Sequence, residues 1–425
     1  MKMGCRNFMV NFSIMESQIS FPQVVERGAG MDVHRDTVVV TVMGTGIITE
    51  TRTFTTYTND LRSLSSWLKS FAITHLSIES TGVYWKPVFN ILSDEFEILL
   101  VNARHVKNIP GHKTDKKDSR WLAKLLLSGL LKASFVPPNT IRDLRDLTRY
   151  RKKLVQNATA ERNRFERVLQ DANFKLSNVI TDLFGKTGTL IITALLQGNN
   201  HFEELLALCH GSIKKKKDIL KEALEGKLTD HHKFMLETIR LSIENINYRI
   251  AKIDSETALL CNQYSTEIDL LKTIPGVNSI SAASMIAEIG VDMDKFPTVH
   301  HLASWAGVCP GNNESAGKMR SSRITSGNQH LKPMLIECAW SATRVKDCYL
   351  RKKYESLLIR RGKKRALVAV GHKMLTAAYF MIKYKVPYLE LGYDYIDSRR
   401  KQNQVQSYID KLKNLGIEVE ITQAL

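Results

Sequence analysis

Paired cysteines are the first thing missing from this sequence. Its six cysteines, Cys5, Cys209, Cys261, Cys309, Cys338 and Cys348, are scattered and form no CxxC pair. Neither a zinc cluster nor a disulfide framework is indicated, which suits a reducing, cytoplasmic setting. Long apolar runs are missing too. No stretch approaches the ~18–20 uninterrupted apolar residues of a membrane helix, so no membrane partner is expected. The opening "MKMGCRNFMVNFSIMESQISFPQ" has a short apolar patch broken by Asn and Ser, with no small-residue cleavage site. It reads as a poorly ordered extension, not a secretion signal. Acidic residues are the scarcer sign: 43 Asp and Glu against 61 Lys and Arg, a net charge of +18. Such a surplus says nothing about fold but favours polyanionic partners, nucleic acid before membrane surfaces.

What is present is a globular balance, 43% hydrophobic and 24% charged residues, in a chain of 425. That is too long for one ordinary core, so two or three domains are expected. From Gly28 to about Ala103 the pattern is α/β. "GAGMDVH", "DTVVVTVMG" and "GIITETRTFTTYT" read as an antiparallel meander, the last alternating at period two. "NDLRSLSSWLKSF" opens with a capping Asn59 and has helical spacing at Leu61, Leu64, Trp67 and Leu68. "THLSIES" and "FEILLVNA" look like buried strands, with the helix-like "TGVYWKPVFNIL" between them. Three meander strands followed by alternating helix and strand is an RNase H-like order.

"KTDKKDSRWLAKLLLSGLL" is helical and is ended by "KASFVPP". Long, polar, heptad-like helices are expected from Asn139 to roughly Lys175 and from Thr229 to Leu271, separated by the lysine run "IKKKKD". They suggest an antiparallel or intersubunit coiled coil, or a plain hairpin within one subunit. "TIPGVNSISAASMIAEIG" fits a helix-hairpin-helix whose Gly turn presents N–H groups to phosphate, although a Pro-Gly turn between helices is common. A helical region, a Gly/Ser/Arg-rich loop and two more helices follow. The expected divisions are an extension (1–27), an α/β domain (28–138), a helical region (139–272), a mainly α-helical C-terminal domain (273–385) and a small tail (386–425).

Asp32 ends "GAGMD" among small residues, and Glu79 closes the apolar "LSIE". A charge at the end of a buried strand is expensive without a partner. Asp115 and Asp118 lie one helical turn apart, so their side chains share a face. Four convergent carboxylates suit hard, octahedral Mg²⁺. The helical pair could instead only complement the positive end of the helix dipole, and Glu79 alone would be a strand-edge charge. The order decides for a metal: acid on strand one, acid on strand four, paired acids on the next helix. In "CPGNNESAGKMRSSRITSGNQHLK", the small-residue turn after Ser315 could expose its hydroxyl. Composition alone favours a basic, DNA-contacting loop there.

"GMDVHRDTVVV", "SIESTGVYW", "VNARHVKNIPGHKTDKKDSRWLAKLL", "IPGVNSISAASMIAEIG", "LASWAGVCPGNNESAGKMRSSRITSGNQHLK" and "KKRALVAVGHKML" occur in that order between about residues 28 and 385. Together they resemble the successive blocks of the IS110/IS1111 family of insertion-sequence transposases. The resemblance implies a RuvC-like domain whose tetrad falls on Asp32, Glu79, Asp115 and Asp118, then a coiled coil, then a transposase domain with a catalytic serine. That serine falls on Ser315, with Ser321, Ser322 and Ser326 as neighbouring alternatives; the family often reads Ser-Gly where this chain has Ser-Ala-Gly. It further implies Mg²⁺ beside the serine, brought close by domain packing or by another subunit, and a covalent serine–DNA link. Donor and target DNA duplexes, a structured guide RNA encoded by the element, and a homo-oligomer (dimer or tetramer) formed through the coiled coil would be the partners. Backbone contacts with so much nucleic acid suit the +18 charge, and base pairing would leave the protein little sequence to read. Rival readings are a junction-resolving nuclease that uses water as nucleophile, and a non-catalytic nucleic-acid scaffold.

Overall fold

The computed structural model describes residues 24–80, 82–102, 115–134, 136–310, 313–315, 317–321 and 323–416. The expected N-terminal extension therefore lies mostly outside the described residues. The chain divides into two compact units, Met1–Val136 and Pro137–Leu425.

The first unit is a mixed sheet with helices. Its strands are β1 (Arg27–Val33), β2 (Thr37–Gly44), β3 (Glu50–Thr55), β4 (His75–Glu79) and β5 (Glu97–Val101), in the order β3-β2-β1-β4-β5. β1 pairs antiparallel with β2 and β2 with β3, whereas β4 runs parallel to both β1 and β5. The period-two alternation of β1 sends Ala29, Met31 and Val33 to one face. There they join Val38, Val40, Val42, Leu76 and Ile78 in a core covered by α1 (Thr58–Ser70) and α2 (Trp85–Leu92). The helical spacing read in α1 is the spacing of its buried face, Leu61, Leu64, Trp67 and Leu68.

The other face of the sheet is small and polar, carrying Gly28, Gly30, Thr41 and Ser77. Across it lies α3 (Asp115–Leu127), buried through Ser119, Leu122, Ala123 and Leu126. A Cβ on Gly30 would stand 2.1 Å from the Ser119 carbonyl and 2.4 Å from the Ala123 nitrogen. Glycine is required because helix and strand backbones touch. Thr41 Oγ1 lies 2.8 Å from Ser119 Oγ, and Ser77 Oγ donates to the Leu122 carbonyl at 3.2 Å, so the buried hydroxyls are satisfied.

Two local expectations are corrected. Helix α1 begins at Thr58, so Asn59 is inside it and does not cap it. The junction is closed instead by Asp60, whose carboxylate accepts from the Thr55 hydroxyl and, at 3.4 Å, from the Thr55 N–H. Strand β3 begins at Glu50, later than expected, because the chain first turns at Gly44 (φ 147°) and Gly46 (φ 75°).

The second unit is mostly helical. Helix α4 (Asn139–Asp171) leads to the short helices α5 (Lys186–Leu196), α6 (Phe202–Ala207), α7 (Gly211–Lys214) and α8 (Lys217–Ala223). Helix α9 (Asp230–Cys261), capped by Thr229, then returns along α4. Thr140 meets Tyr264 at one end of this antiparallel pair and Asp171 meets His232 at the other. Leu154 and Ala158 pack on Ile246 and Ile253 between them. The segment around the lysine run is not a mere linker. It has a core of its own, with Phe174, Leu176, Ile191, Leu195 and Leu220 packed on Phe165, Leu169, Leu236 and Ile239 of the long pair.

After a 3₁₀ turn (Asn262–Tyr264) come α10 (Ser265–Lys272), α11 (Ser279–Ile289), α12 (Val299–Ala306), α13 (Leu331–Ala342), α14 (Tyr349–Arg361), α15 (Lys363–Tyr384) and α16 (Tyr395–Asn414). The turn joining α10 to α11 holds Gly276 at φ 86°, where a Cβ would meet the Cys338 carbonyl at 2.5 Å. The tail docks on α14 through a Lys352–Asp397 ion pair and a hydrogen bond from the Tyr393 hydroxyl to Glu355.

Candidate active site

Strand register places two of the expected acids side by side. Met31 on β1 pairs with Ile78 on β4, and Asp32 and Glu79 are the next residues on each strand. Because Met31 and Ile78 point into the apolar core, alternation sends Asp32 and Glu79 to the opposite face, the one α3 covers. Asp118 is in the first turn of α3, one residue before buried Ser119 and one turn before Leu122, both of which sit on the sheet. Asp115 is the first residue of that helix; its side chain lies outside the described residues. The Gly30 contact holds α3 against the sheet at backbone distance, which sets how close its first turn stands to the ends of β1 and β4.

Asp32 and Asp118 are half-buried, as is Glu79. His34 Nε2 lies 3.2 Å from Asp32 Oδ2 at the rim. The donors at this edge are carboxylate oxygens, a chemistry that fits a hard divalent cation and not a thiophilic one. Among the described residues, no group of three or more histidine, cysteine or acidic side chains closes around one point.

Ser315 lies in the second unit, at the end of β6 (Asn313–Ser315), which pairs antiparallel with β7 (Lys318–Ser321). The expected open loop is therefore a hairpin in its first half. Ser315 pairs with Lys318 across a two-residue turn that contains Gly317 at φ 72°. A Cβ on Gly317 would meet nothing within 4 Å, so the turn is open. Of the alternatives, Ser321 ends β7 and accepts from the Arg323 N–H at 3.2 Å. Ser326 is exposed, and Ser322 lies outside the described residues.

The base of this hairpin is pinned twice. Pro310 bridges to Ile324, and Gly307 (φ 74°) and Gly327 (φ 52°) touch so closely that neither tolerates a Cβ. Beyond it, Asn328 Oδ1 accepts from the N–H groups of His330 and Leu331 at the start of α13. Its amide donates at 2.7 Å to Glu288, an acid only 3% exposed on α11.

Sequence reasoning missed Glu288. Arg149 of α4 donates to both its oxygens at 2.8 Å, and Arg145 donates to the Ala287 and Glu288 carbonyls at 2.9 Å. One carboxylate thus ties α4, α11 and the hairpin's exit together. Burial pushes its pKa up, but the Arg149 hydrogen bonds and charge, aided by Asn328 and Arg145, bring it below the usual carboxylate value. Burial and the neighbouring Arg149 charge keep the half-buried His330 imidazole below its ordinary value. The one available signal was an acid inside the apolar "SMIAEIG".

Known proteins carry these same parts. The chain matches a family model described as a transposase, the DEDD domain of IS110 type, over residues 29–174. It matches a second, described as transposase IS116/IS110/IS902 family, over residues 268–355. A protein of Sinorhizobium fredii that bears the name of a transposase is 25% identical over 58% of this chain and 52% of its own length, so only about half of that relative is spanned. Pilin gene-inverting proteins of Moraxella bovis and Moraxella lacunata are each 24% identical over 79% of this chain and 89% of their own lengths. The first model spans the positions of the four expected acids and the second spans Ser315 and Glu288; together they cover more than half of the sequence, and the chain belongs to the IS110 family of transposases.

Proposed function

We propose that this protein is a DNA recombinase that moves an insertion sequence by metal-dependent cleavage and exchange of phosphodiester strands. The observation that carries the reading is the register of β1 and β4, with Asp32 and Glu79 adjacent on the face where α3 brings its first turn. The strand order supports an RNase H-like, RuvC-type domain. Asp32, Glu79, Asp115 and Asp118 would hold the cation, Mg²⁺ by the hardness of their oxygens. Bound there, it would stabilise charge on the attacked phosphate and on the leaving oxygen.

Ser315 is proposed as the nucleophile. Its Oγ–phosphorus bond forms as a DNA P–O bond breaks, its proton is lost to a base, and the leaving DNA oxygen is protonated. The phosphodiester bond energy is kept in the serine–DNA link, so strands rejoin without an external energy source. The hairpin supports this role by placing Ser315 beside an open turn with Lys318 across the strand pair, near enough in register to attract a phosphate.

Donor and target DNA, an element-encoded guide RNA that supplies sequence choice, and a dimer or tetramer formed through the heptad-like helices belong to the same reading. So does the Gly276 turn as a helix-hairpin-helix phosphate contact. The names of the Moraxella relatives, which refer to inversion of a pilin gene, support DNA rearrangement as the activity. The deciding experiment incubates the protein and guide RNA with supercoiled donor and target DNA and Mg²⁺, then digests with protease. Wild type should yield recombinants and a protease-sensitive protein–DNA adduct mapping to Ser315. Ser315→Ala that still cleaves without an adduct would replace this reading with a water-dependent nuclease.

A further inference from the structure

Four of the five strands of the first unit end at one edge of the sheet. β1, β4 and β5 are parallel, and two antiparallel steps turn β3 the same way. Asp32 and Glu79 lie in the middle of that edge, and an exposed tyrosine stands on each side of them. Tyr57 follows the end of β3 by two residues and is 80% exposed. Tyr84 follows Glu79 by five and is 44% exposed, beside Val83 at 63%. Hydrogen bonds fix the first of these against the acids. The Thr56 N–H donates to the Asp36 carbonyl at 3.1 Å and its hydroxyl to the Arg35 carbonyl at 3.0 Å, in the same short turn whose His34 reaches Asp32. On the other side the Ser80 N–H donates to the Val101 carbonyl at 2.8 Å, so the chain leaves β4 in line with the sheet.

Neither tyrosine serves the fold where it stands. Each occupies the N-cap of a helix, Tyr57 of α1 and Tyr84 of α2, and neither makes a side-chain cap bond. Ser, Thr, Asp or Asn there would satisfy an otherwise orphaned N–H. Among the described residues neither ring has an aromatic or cationic neighbour, and neither hydroxyl has a hydrogen-bond partner. One exposed tyrosine needs no explanation. Two of them, each in place of a helix cap and together flanking a pair of half-buried acids, point to a ligand with flat faces. β3 and β4 are three strand spacings apart, about 14 Å. That is the length of roughly four stacked nucleotides at ~3.4 Å a step. Three exposed side chains are far too few for a protein interface. A tyrosine ring does match a nucleobase, and stacking between the two tolerates any base sequence.

We propose that Tyr57 and Tyr84 stack on bases to either side of the phosphodiester held at Asp32 and Glu79, so that this edge takes a locally unpaired DNA strand. The placement of the strand rests on the recombinase reading, and both tyrosines act by positioning, with no part in the chemistry of cleavage. DNA is the occupant, and not the guide RNA, because the strand to be cut must lie against the acids. The test uses the full-length protein and a single DNA strand of about 15 nucleotides, with Ca²⁺ in place of Mg²⁺ to hold back cleavage. One thymine is replaced by 5-iodouracil, which light couples to a stacked aromatic ring. Peptide mass spectrometry should find the coupling at Tyr57 or Tyr84. Tyr384→Ala, at an exposed tyrosine of the second unit, should leave its yield unchanged.

A second measurement separates stacking from a structural role. Tyr57→Ala/Tyr84→Ala should weaken binding of the strand by about tenfold or more, with circular dichroism unchanged, and Tyr57→Phe/Tyr84→Phe should restore it. An abasic strand of the same length should cost wild type the same factor and the alanine variant nothing. Coupling at other residues only, or an alanine variant that binds as tightly as wild type, would overturn the proposal. An equal or greater loss with an RNA strand of the same sequence would also overturn it, and would give the two rings to the guide. Binding is read without cleavage. A protein that behaves as expected here but cuts nothing therefore removes the recombinase reading alone, and an active recombinase with silent tyrosines removes only the stacking.

Discussion

The acids of the two units stand in opposite circumstances. Glu288 is buried, and two arginines and an asparagine occupy its side-chain and main-chain oxygens. Asp32, Glu79 and Asp118 sit half-buried at the rim of a small-residue face, gathered from two strand ends and one helix start. A carboxylate that holds a fold together is neutralised by the protein itself. Under the proposed reading, carboxylates drawn from separate elements to one edge serve a cation and not the fold. Substitution should therefore separate the two kinds by what it damages.

The largest effect is expected at the sheet edge. Asp118→Asn should lower strand cleavage by on the order of 10²–10³-fold or more, with DNA binding and thermal stability retained. A gel assay beside a melting curve checks both, and loss of stability would return Asp118 to a helix-dipole role. Glu288→Ala should do the converse. Leaving Arg145 and Arg149 without their carboxylate should cost about 3–5 kcal/mol in denaturant unfolding. Gly30→Ala joins the two classes. Its methyl would strike the backbone of α3, costing roughly 1–3 kcal/mol and displacing the turn that carries Asp118. Both stability and cleavage should fall, and restoration of either by the metal alone would contradict this account.

Acid should unfold the second unit in two stages of smaller size. His330 and His372 are held below their usual pKa chiefly by burial. The native state then binds fewer protons than the unfolded one, so stability declines as pH drops below about 6.5. Glu288, with its folded value depressed, stabilises above the unfolded carboxylate range and loses that contribution as pH falls through its own value. Urea midpoints between pH 7.5 and 4 should fall along this course in wild type and with the second stage absent in Glu288→Ala.

Much of the sheet was legible because its signals are local. The β-branched run in "DTVVVTVMG", helical spacing in "LRSLSSWL" and an acid closing "LSIE" are each contained in fewer than ten residues. The acids could be placed at strand ends for the same reason. What escaped depends on distant partners. Asn59 looked like a cap, but the junction closes through Asp60 and Thr55 once β3 has met the helix. The lysine run concealed a small core because part of that core comes from Phe165, Leu169, Leu236, Ile239 and Ile243 on the long helices. Glu288 and Arg149 lie 139 residues apart, beyond any periodic pattern. The hairpin around Ser315 was masked by a composition of Gly, Ser and Arg that reads as loop.

Contact between Gly30 and the backbone of α3 has one more consequence. Helix orientation is dictated where it touches the strand, not by the tether that delivers it from β5. Residues inserted into or deleted from that tether leave the rotation of Asp118 unaltered, since a turn of the helix by even one position would drive side chains into Gly30.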